Sequence, residues 1–305
     1  MRQRSSSPRW KWVRVPDLLL PTPMPGTGGE RTVAQTLSAL QTQGLDLLDA
    51  QLLLLHSLNQ AAHDRAWLLA HDTDRVDTAA WQRLDNLARR RQQGEPLAYL
   101  TGHKEFFGLD LLVDARVLVP RPDTETLVQW ALEVLPPSNA MSVLDLGTGS
   151  GAIALALKAT RPDLQIRAID ASQDALAVAC TNARRLQLDV QFSQGAWFAG
   201  WPDAGLRFHA IVSNPPYIAA QDPHLSALTF EPLQALVSGA DGLDDLRRII
   251  TQAPAHLLAG GWLLLEHGYD QAQPLRTLLQ QAGFEQVQSR RDLAGLERCS
   301  GGRLA

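Results

Sequence analysis

Cysteine is scarce in this chain. Cys180 and Cys299 are the only two in 305 residues, which excludes a disulfide framework and points to a reducing, cytoplasmic compartment. Long apolar runs are missing. The longest candidates, Leu52 to Leu55 and Trp262 to Leu265, fall far short of the roughly 20 residues that cross a bilayer, so no membrane span is expected. Excess positive charge is missing too. The formal net charge is −4, which gives no sign of a nucleic-acid-binding surface beyond what a local basic patch would offer. His56, His63 and His71 lack metal-like company, and no metal is expected. What remains is ordinary for a soluble globular protein: 45% hydrophobic and 20% charged residues, with room for two domains and with a monomer expected.

The chain changes character along its length. Arg2, Arg4, Arg9, Lys11 and Arg14 precede a Pro/Gly-rich stretch from Pro21 to Gly29. The apolar region of a signal peptide is absent there, and 1–30 reads as a disordered leader, with Met24 as an alternative start. Residues 31–94 read as a small helical bundle. Val33, Leu37 and Leu40 recur at helical spacing, Asp46 or Asp49 caps a second segment, and Asp64 caps a third around Trp67 and Leu68. Asp77 and Thr78 open a fourth, carrying Trp81, Leu84, Leu87 and Ala88, which ends in Arg89-Arg90-Arg91 and Gly94. The arginine run suits a solvated helix end, and the bundle, having no chemistry of its own, is expected to hold a partner. Residues 95–121 break into short β-rich pieces and read as a β-hairpin linker.

From 122 to 305 strands and helices alternate. Arg121-Pro122-Asp123-Thr124-Glu125 opens a helix. Strands are expected at Ser142 to Leu146, Gln165 to Asp170, Val190 to Ser193, His209 to Ser213 and Trp262 to His267. Helices are expected at Gly151 to Thr160, Ser172 to Leu186, Asp244 to Leu258 and Gln271 to Ala282, with Phe284 to Arg290 and Arg303 onward closing the sheet. This pattern predicts an α/β, doubly wound, mostly parallel sheet.

Two stretches carry chemistry. The first strand runs into Asp145-Leu146-Gly147-Thr148-Gly149-Ser150-Gly151, where glycines allow a tight turn and let a ligand approach the backbone. The spacing is Gly-x-Gly-x-Gly after an acid, unlike the Gly-x-Gly-x-x-Gly of nicotinamide and flavin folds, and Asp170 ends the second strand, where a ribose diol needs a carboxylate. Both features fit a nucleoside without a pyrophosphate, such as S-adenosylmethionine, whose amino group Asp145 would face. Capping of the following turns is the plainer use of both acids. The second stretch, Asn214-Pro215-Pro216-Tyr217, follows a strand that two prolines must stop. Asn214 offers one acceptor and two donors, and Tyr217 a flat ring, a set that grips a carboxamide or an exocyclic amine.

Val143 to Ala154, Ser213 to Ile218 and Val119-Pro120-Arg121-Pro122-Asp123-Thr124-Glu125 together resemble the HemK-type release factor glutamine methyltransferases. Gln221 to Leu225, Phe230-Glu231-Pro232 and Leu265-Glu266-His267-Gly268 are similar as well, and the resemblance covers about residues 35 to 300. It implies a Rossmann-like class I methyltransferase domain and transfer of a methyl group from S-adenosylmethionine to the glutamine amide nitrogen of a Gly-Gly-Gln motif in a peptide chain release factor. It also implies that Gly147 to Gly151 hold the methionine part of the cofactor, that Asp170 binds the ribose, that Trp197 packs at the adenine, and that Asn214 to Tyr217 bind the substrate glutamine. One departure stands out: the family usually has an acid just before this tryptophan, and here the residue is Ala196. The Asn-Pro-Pro-Tyr motif by itself also fits methyltransferases acting on DNA adenine, rRNA or a ribosomal-protein glutamine. A non-catalytic release-factor-binding module and a nicotinamide oxidoreductase are the readings from other classes.

Overall fold

The computed structural model describes residues 31–137, 141–199 and 205–305; the expected leader, 1–30, lies outside them. The described chain divides into two compact units that meet between Gln93 and Gly94.

The smaller unit is four helices: α1 (Val33–Thr42), α2 (Leu47–Ser57), α3 (Arg65–Ala70) and α4 (Thr78–Gln92). Short polar side chains start three of them. Thr32 and Gln35 exchange side-chain and backbone hydrogen bonds in a capping box. Asp64 accepts the Trp67 N–H and Asp77 the Ala80 N–H. Leu40, Leu53, Leu54 and Leu84 are fully buried, so packing rather than propensity holds these short helices. The arginine run ending α4 is not simply solvated. Arg91 pairs with Asp49 of α2 at 2.6 Å, and Arg89 with Asp85.

The larger unit begins with α5 (Leu97–Thr101), β1 (His103–Phe106) and β2 (Leu109–Leu112). Residues 97–101 are helical where short β pieces were expected, because Pro96 starts a turn that Gly102, at φ +77°, closes in the left-handed conformation. The strands pair as the expected hairpin, His103 with Leu112 and Phe106 with Leu109. The hairpin is fixed to the α/β body. Asn182 accepts the Leu112 N–H at 2.8 Å and donates to the Leu112 carbonyl at 2.9 Å.

The body consists of α6 (Glu125–Val134), β3 (Ser142–Leu146), α7 (Ala152–Thr160), β4 (Gln165–Asp170), α8 (Gln173–Leu186), β5 (Gln191–Gln194), β6 (Phe208–Ser213), α9 (Asp244–Gln252), β7 (Leu257–Glu266), α10 (Ala272–Gln281), β8 (Phe284–Arg291) and β9 (Glu297–Leu304). The strand order is β5-β4-β3-β6-β7-β9-β8. The first five are parallel, and β9 lies antiparallel between β7 and β8. It starts at Glu297, earlier than the expected closing strand, and sits inside the sheet rather than after β8. Successive side chains face opposite ways: Val143, Ala210 and Val212 pack with α6, α7 and α8, while Leu144, Leu146 and Ile211 pack with α9 and α10. Both faces are covered, as a doubly wound sheet requires. The order reverses between β3 and β6, and ligands bind outside the carboxyl ends of strands at such a switch point.

Candidate active site

Both sequence motifs lie at that switch point. β3 ends in the glycine loop and β6 ends at Ser213, whose buried hydroxyl donates to the Leu146 carbonyl at 2.7 Å and ties the two strand ends together. The loop turns back on β4: the N–H groups of Gly147 and Thr148 both donate to the Ile169 carbonyl, at 2.8 and 2.9 Å. Gly147, Gly149 and Gly151 all have positive φ, which other residues adopt only with strain. A Cβ on Gly149 would meet nothing within 4 Å, so this glycine borders open space.

That space is a cavity of about 260 Å³ lined by Gly147, Gly149, Asp170, Ala196, Trp197, Asn214 and Pro216, among others. Asp170 shapes it from the end of β4. One of its oxygens accepts the Gly149 N–H at 2.8 Å and the other the Ser172 N–H at 2.9 Å. A carboxylate has about four lone-pair sites, so the residue caps both turns and keeps acceptor capacity for a ligand. Burial pushes its pKa up, against which those backbone bonds act.

Asp145, Thr148, Ser150, Gly151, Pro215 and Tyr217 are not among the residues lining this cavity. Asp145 is fully buried. Its Oδ2 accepts the Thr148 hydroxyl at 2.6 Å, and its Oδ1 has no hydrogen-bond partner. Burial raises its pKa to about 7.

Trp197 stands against the loop, its ring 3.4 Å from where a Gly147 Cβ would be. The indole N–H donates to Asp245 at 3.1 Å. Asp245, near the start of α9, is itself held by the Ser238 hydroxyl at 2.7 Å and lines the same cavity. The sequence reading missed it; the signal available was the Asp244-Asp245 pair opening an amphipathic helix. Val117 and Leu118, read only as linker, line the cavity too.

A second cavity, about 410 Å³, has Asn214, Tyr217, Arg121, Asp123, Glu266 and Arg298 in its wall. Asn214 therefore borders both spaces. Its Nδ2 donates to the Thr124 hydroxyl at 3.3 Å. The Tyr217 hydroxyl donates weakly to Glu266 at 3.4 Å, and the Tyr217 carbonyl accepts from Gln271 at 3.0 Å. Burial and the Glu266 charge raise the tyrosine pKa well above its usual value, so the phenol stays neutral. Glu231 pins this wall, accepting the Val119 N–H at 3.1 Å and pairing with Arg121. Among the described residues no group of three His, Cys, Asp or Glu side chains is placed to hold a metal, and no helix is long and apolar enough to cross a membrane.

Residues 124–291 match the Methyltransferase small domain family and residues 32–102 the PrmC N-terminal domain family. The chain is 47% identical to a release factor glutamine methyltransferase of Burkholderia pseudomallei, over 92% of this chain and 98% of that protein. It is 51% identical to one of Bordetella pertussis, over 87% and 97%. A methyltransferase structure from Pyrococcus furiosus superposes with a TM-score of 0.50 at 19% identity, covering 72% of this chain and 97% of that one, and shows the same fold. A methyltransferase sheet with its switch point built from the glycine loop and Asn-Pro-Pro-Tyr, joined to a matching N-terminal helical domain, thus places the chain in the release factor glutamine methyltransferase family.

Proposed function

We propose that this protein methylates the side-chain amide nitrogen of the glutamine in the Gly-Gly-Gln motif of a peptide chain release factor, with S-adenosylmethionine as methyl donor. The observation that carries the reading is the place of Asn214, in the walls of both cavities at once. A residue there touches a nucleoside on one side and a carboxamide on the other.

The first cavity suits the donor. Gly149 leaves room for close approach to the backbone, Asp170 keeps acceptor capacity for a diol, and Trp197 supplies a ring face. Asp245 puts an acid beside that ring, in the cavity that Ala196 also lines. When bound, S-adenosylmethionine supplies an electrophilic methyl group. Everything else falls to the chain. An amide nitrogen is a poor nucleophile, because its lone pair is shared with the carbonyl, so the enzyme's work is alignment at near-attack distance. The Asn214 carbonyl accepts one N–H of the substrate amide and the Pro215 main-chain carbonyl the other. Pro216 stiffens the turn and the neutral Tyr217 ring packs on the amide plane.

The helical unit is proposed to hold the release factor, 95–121 to belong functionally with the catalytic unit, and the enzyme to act as a cytoplasmic monomer. The closest rival substrate is a ribosomal-protein glutamine. Incubation of each purified substrate with S-adenosylmethionine and this protein, followed by intact mass measurement, separates the two. The release factor should gain the mass of one methyl group and the ribosomal protein none; the reverse pattern would move the partner while keeping the chemistry.

A further inference from the structure

Trp197 sits in a conformation that its own size disfavours. Its φ is +56°, in the left-handed region, where a large side chain is strained and stays only if its surroundings hold it. The local backbone gives part of that hold: the Gly195 N–H donates to the Asp170 carbonyl and the Ala199 N–H to the Ala196 carbonyl, both at 3.0 Å. Phe198, next in the chain, is anchored separately, stacked on His256. None of these contacts sets the plane of the Trp197 indole. Two others, at opposite edges of the ring, do. The six-membered edge, at Cζ3 and Cη2, lies 3.4 and 3.7 Å from where a Gly147 Cβ would stand. The five-membered edge donates its N–H to Asp245 Oδ1 at 3.1 Å. A half-buried ring beside a cavity is free to turn about its side-chain torsions; a ring pinned at both edges keeps one plane.

The acid that holds the ring is itself held on two sides. α9 begins without a side-chain cap at its N-cap position, so the first backbone N–H groups of the helix need other acceptors. The buried Ser238 supplies one. Its Oγ accepts the Asp245 N–H at 2.8 Å, and its hydroxyl donates to Asp245 Oδ2 at 2.7 Å. The serine is fixed in turn through its backbone: the Ser238 N–H donates to the Ile218 carbonyl at 3.0 Å, one residue beyond Tyr217. One carboxylate oxygen of Asp245 is thus committed to Ser238 and the other to the indole.

We infer that Asp245 is a positioning residue for the methyl donor: buttressed by Ser238, it fixes the Trp197 indole in one plane, and that plane receives the adenine base. A base has a flat π-face and stacks on an aromatic side chain. It gains most from a ring already in place, because a ring that must be ordered on binding gives back part of the gain. Asp245 therefore acts on donor affinity through Trp197, neither by touching the base nor through its charge.

Because this rests on reading the first cavity as the donor's, calorimetry of the wild-type protein with S-adenosylhomocysteine is the control; no binding there would overturn that reading and the inference together. The test is a double-mutant cycle on the full chain. Asp245→Ala should weaken S-adenosylhomocysteine about tenfold, the worth of one hydrogen bond. In the Trp197→Phe background, where no N–H reaches the acid, the same change should cost less than about twofold. Asp245→Asn keeps an acceptor for the indole and turns an NH₂ to the Ser238 Oγ, so it should stay within about threefold of wild type. In steady-state kinetics with release factor, Asp245→Ala should raise the KM for S-adenosylmethionine about tenfold and lower kcat less than about threefold, a split that a general loss of folded enzyme does not produce. Equal losses from Asp245→Ala in both backgrounds would mean that the acid meets the base directly. Asp245→Asn as weak as Asp245→Ala would mean that its charge acts alone. Either result overturns the inference. If Asp245→Ala does not fold, Ser238→Ala in the same two backgrounds decides: a loss of about threefold with Trp197 intact and none in Trp197→Phe supports it, and equal effects overturn it.

Discussion

The two cavities that meet at Asn214 are built by different means. The one beside the glycine loop is largely a backbone construction: Gly147 and Gly149 take left-handed conformations within one turn, and Asp170 ties that turn to the next strand. The other is a side-chain construction drawn from distant parts of the chain, with Arg121 and Asp123 before α6, Tyr217 after β6, Glu266 at the end of β7 and Arg298 on β9. A cofactor is the same molecule in every turnover and suits a rigid main-chain cradle. A glutamine presented by a protein needs donors and acceptors set one by one. The comparison teaches that binding and alignment should be separable by mutation.

The sharpest way to break that separation is Asn214→Ala. Removing the shared acceptor should cost about 10³-fold in turnover while nucleoside affinity changes by less than about threefold, checked by single-turnover kinetics beside calorimetry. Wild-type-like turnover would refute the role. On the backbone side, Gly149→Val forces a β-branched residue to φ +56° and fills the cavity mouth; cofactor affinity should fall on the order of 100-fold, and unaltered calorimetric binding would contradict the cradle. Asp170→Asn keeps shape but sets an NH₂ against one of the two backbone N–H groups that the carboxylate caps, so affinity should drop about tenfold and Tm should fall with it.

The smallest effect concerns Asp145, whose folded-state pKa is raised to about 7 by burial. A raised pKa means that the folded state binds the proton more tightly. Its stabilising contribution is therefore full below about pH 4 and is lost as pH climbs toward 7. Denaturant unfolding of Asp145→Asn should show a flatter stability–pH curve over that window than wild type. Equal slopes would mean that the acid titrates normally.

Legibility in the sequence follows the same divide. The glycine loop, Asp170 and Asn-Pro-Pro-Tyr could be read because each is local: a few consecutive residues dictate a turn at a strand end. Strands β3 and β4 were bounded as expected because each carries apolar residues on both faces, Val143, Leu144 and Leu146 in one and Ile166, Ala168 and Ile169 in the other, all of them buried. β9 was mostly missed because Cys299-Ser300-Gly301-Gly302 reads as a turn. Those small residues are there because the strand is inserted between two others; a Cβ on Gly301 would lie 2.5 Å from the Leu263 carbonyl oxygen. The contacts of Asp245, Thr124 and Glu266 stayed hidden for a related reason. Each meets a residue about 50 or more positions away, and no spacing rule connects them. Arg91 is a smaller case, a helix-end charge that finds Asp49 only once two helices pack.

The central claim is that one cavity holds the adenosyl group, the other the substrate glutamine, and that they join at Asn214. A crystal structure with S-adenosylhomocysteine and a Gly-Gly-Gln peptide tests it most directly. The account predicts adenosine between Asp170 and Trp197, with the glutamine amide nitrogen within hydrogen-bond distance of Asn214 Oδ1 and the Pro215 carbonyl. A glutamine side chain seated away from Asn214, or a nucleoside bound away from the glycine loop, would contradict it.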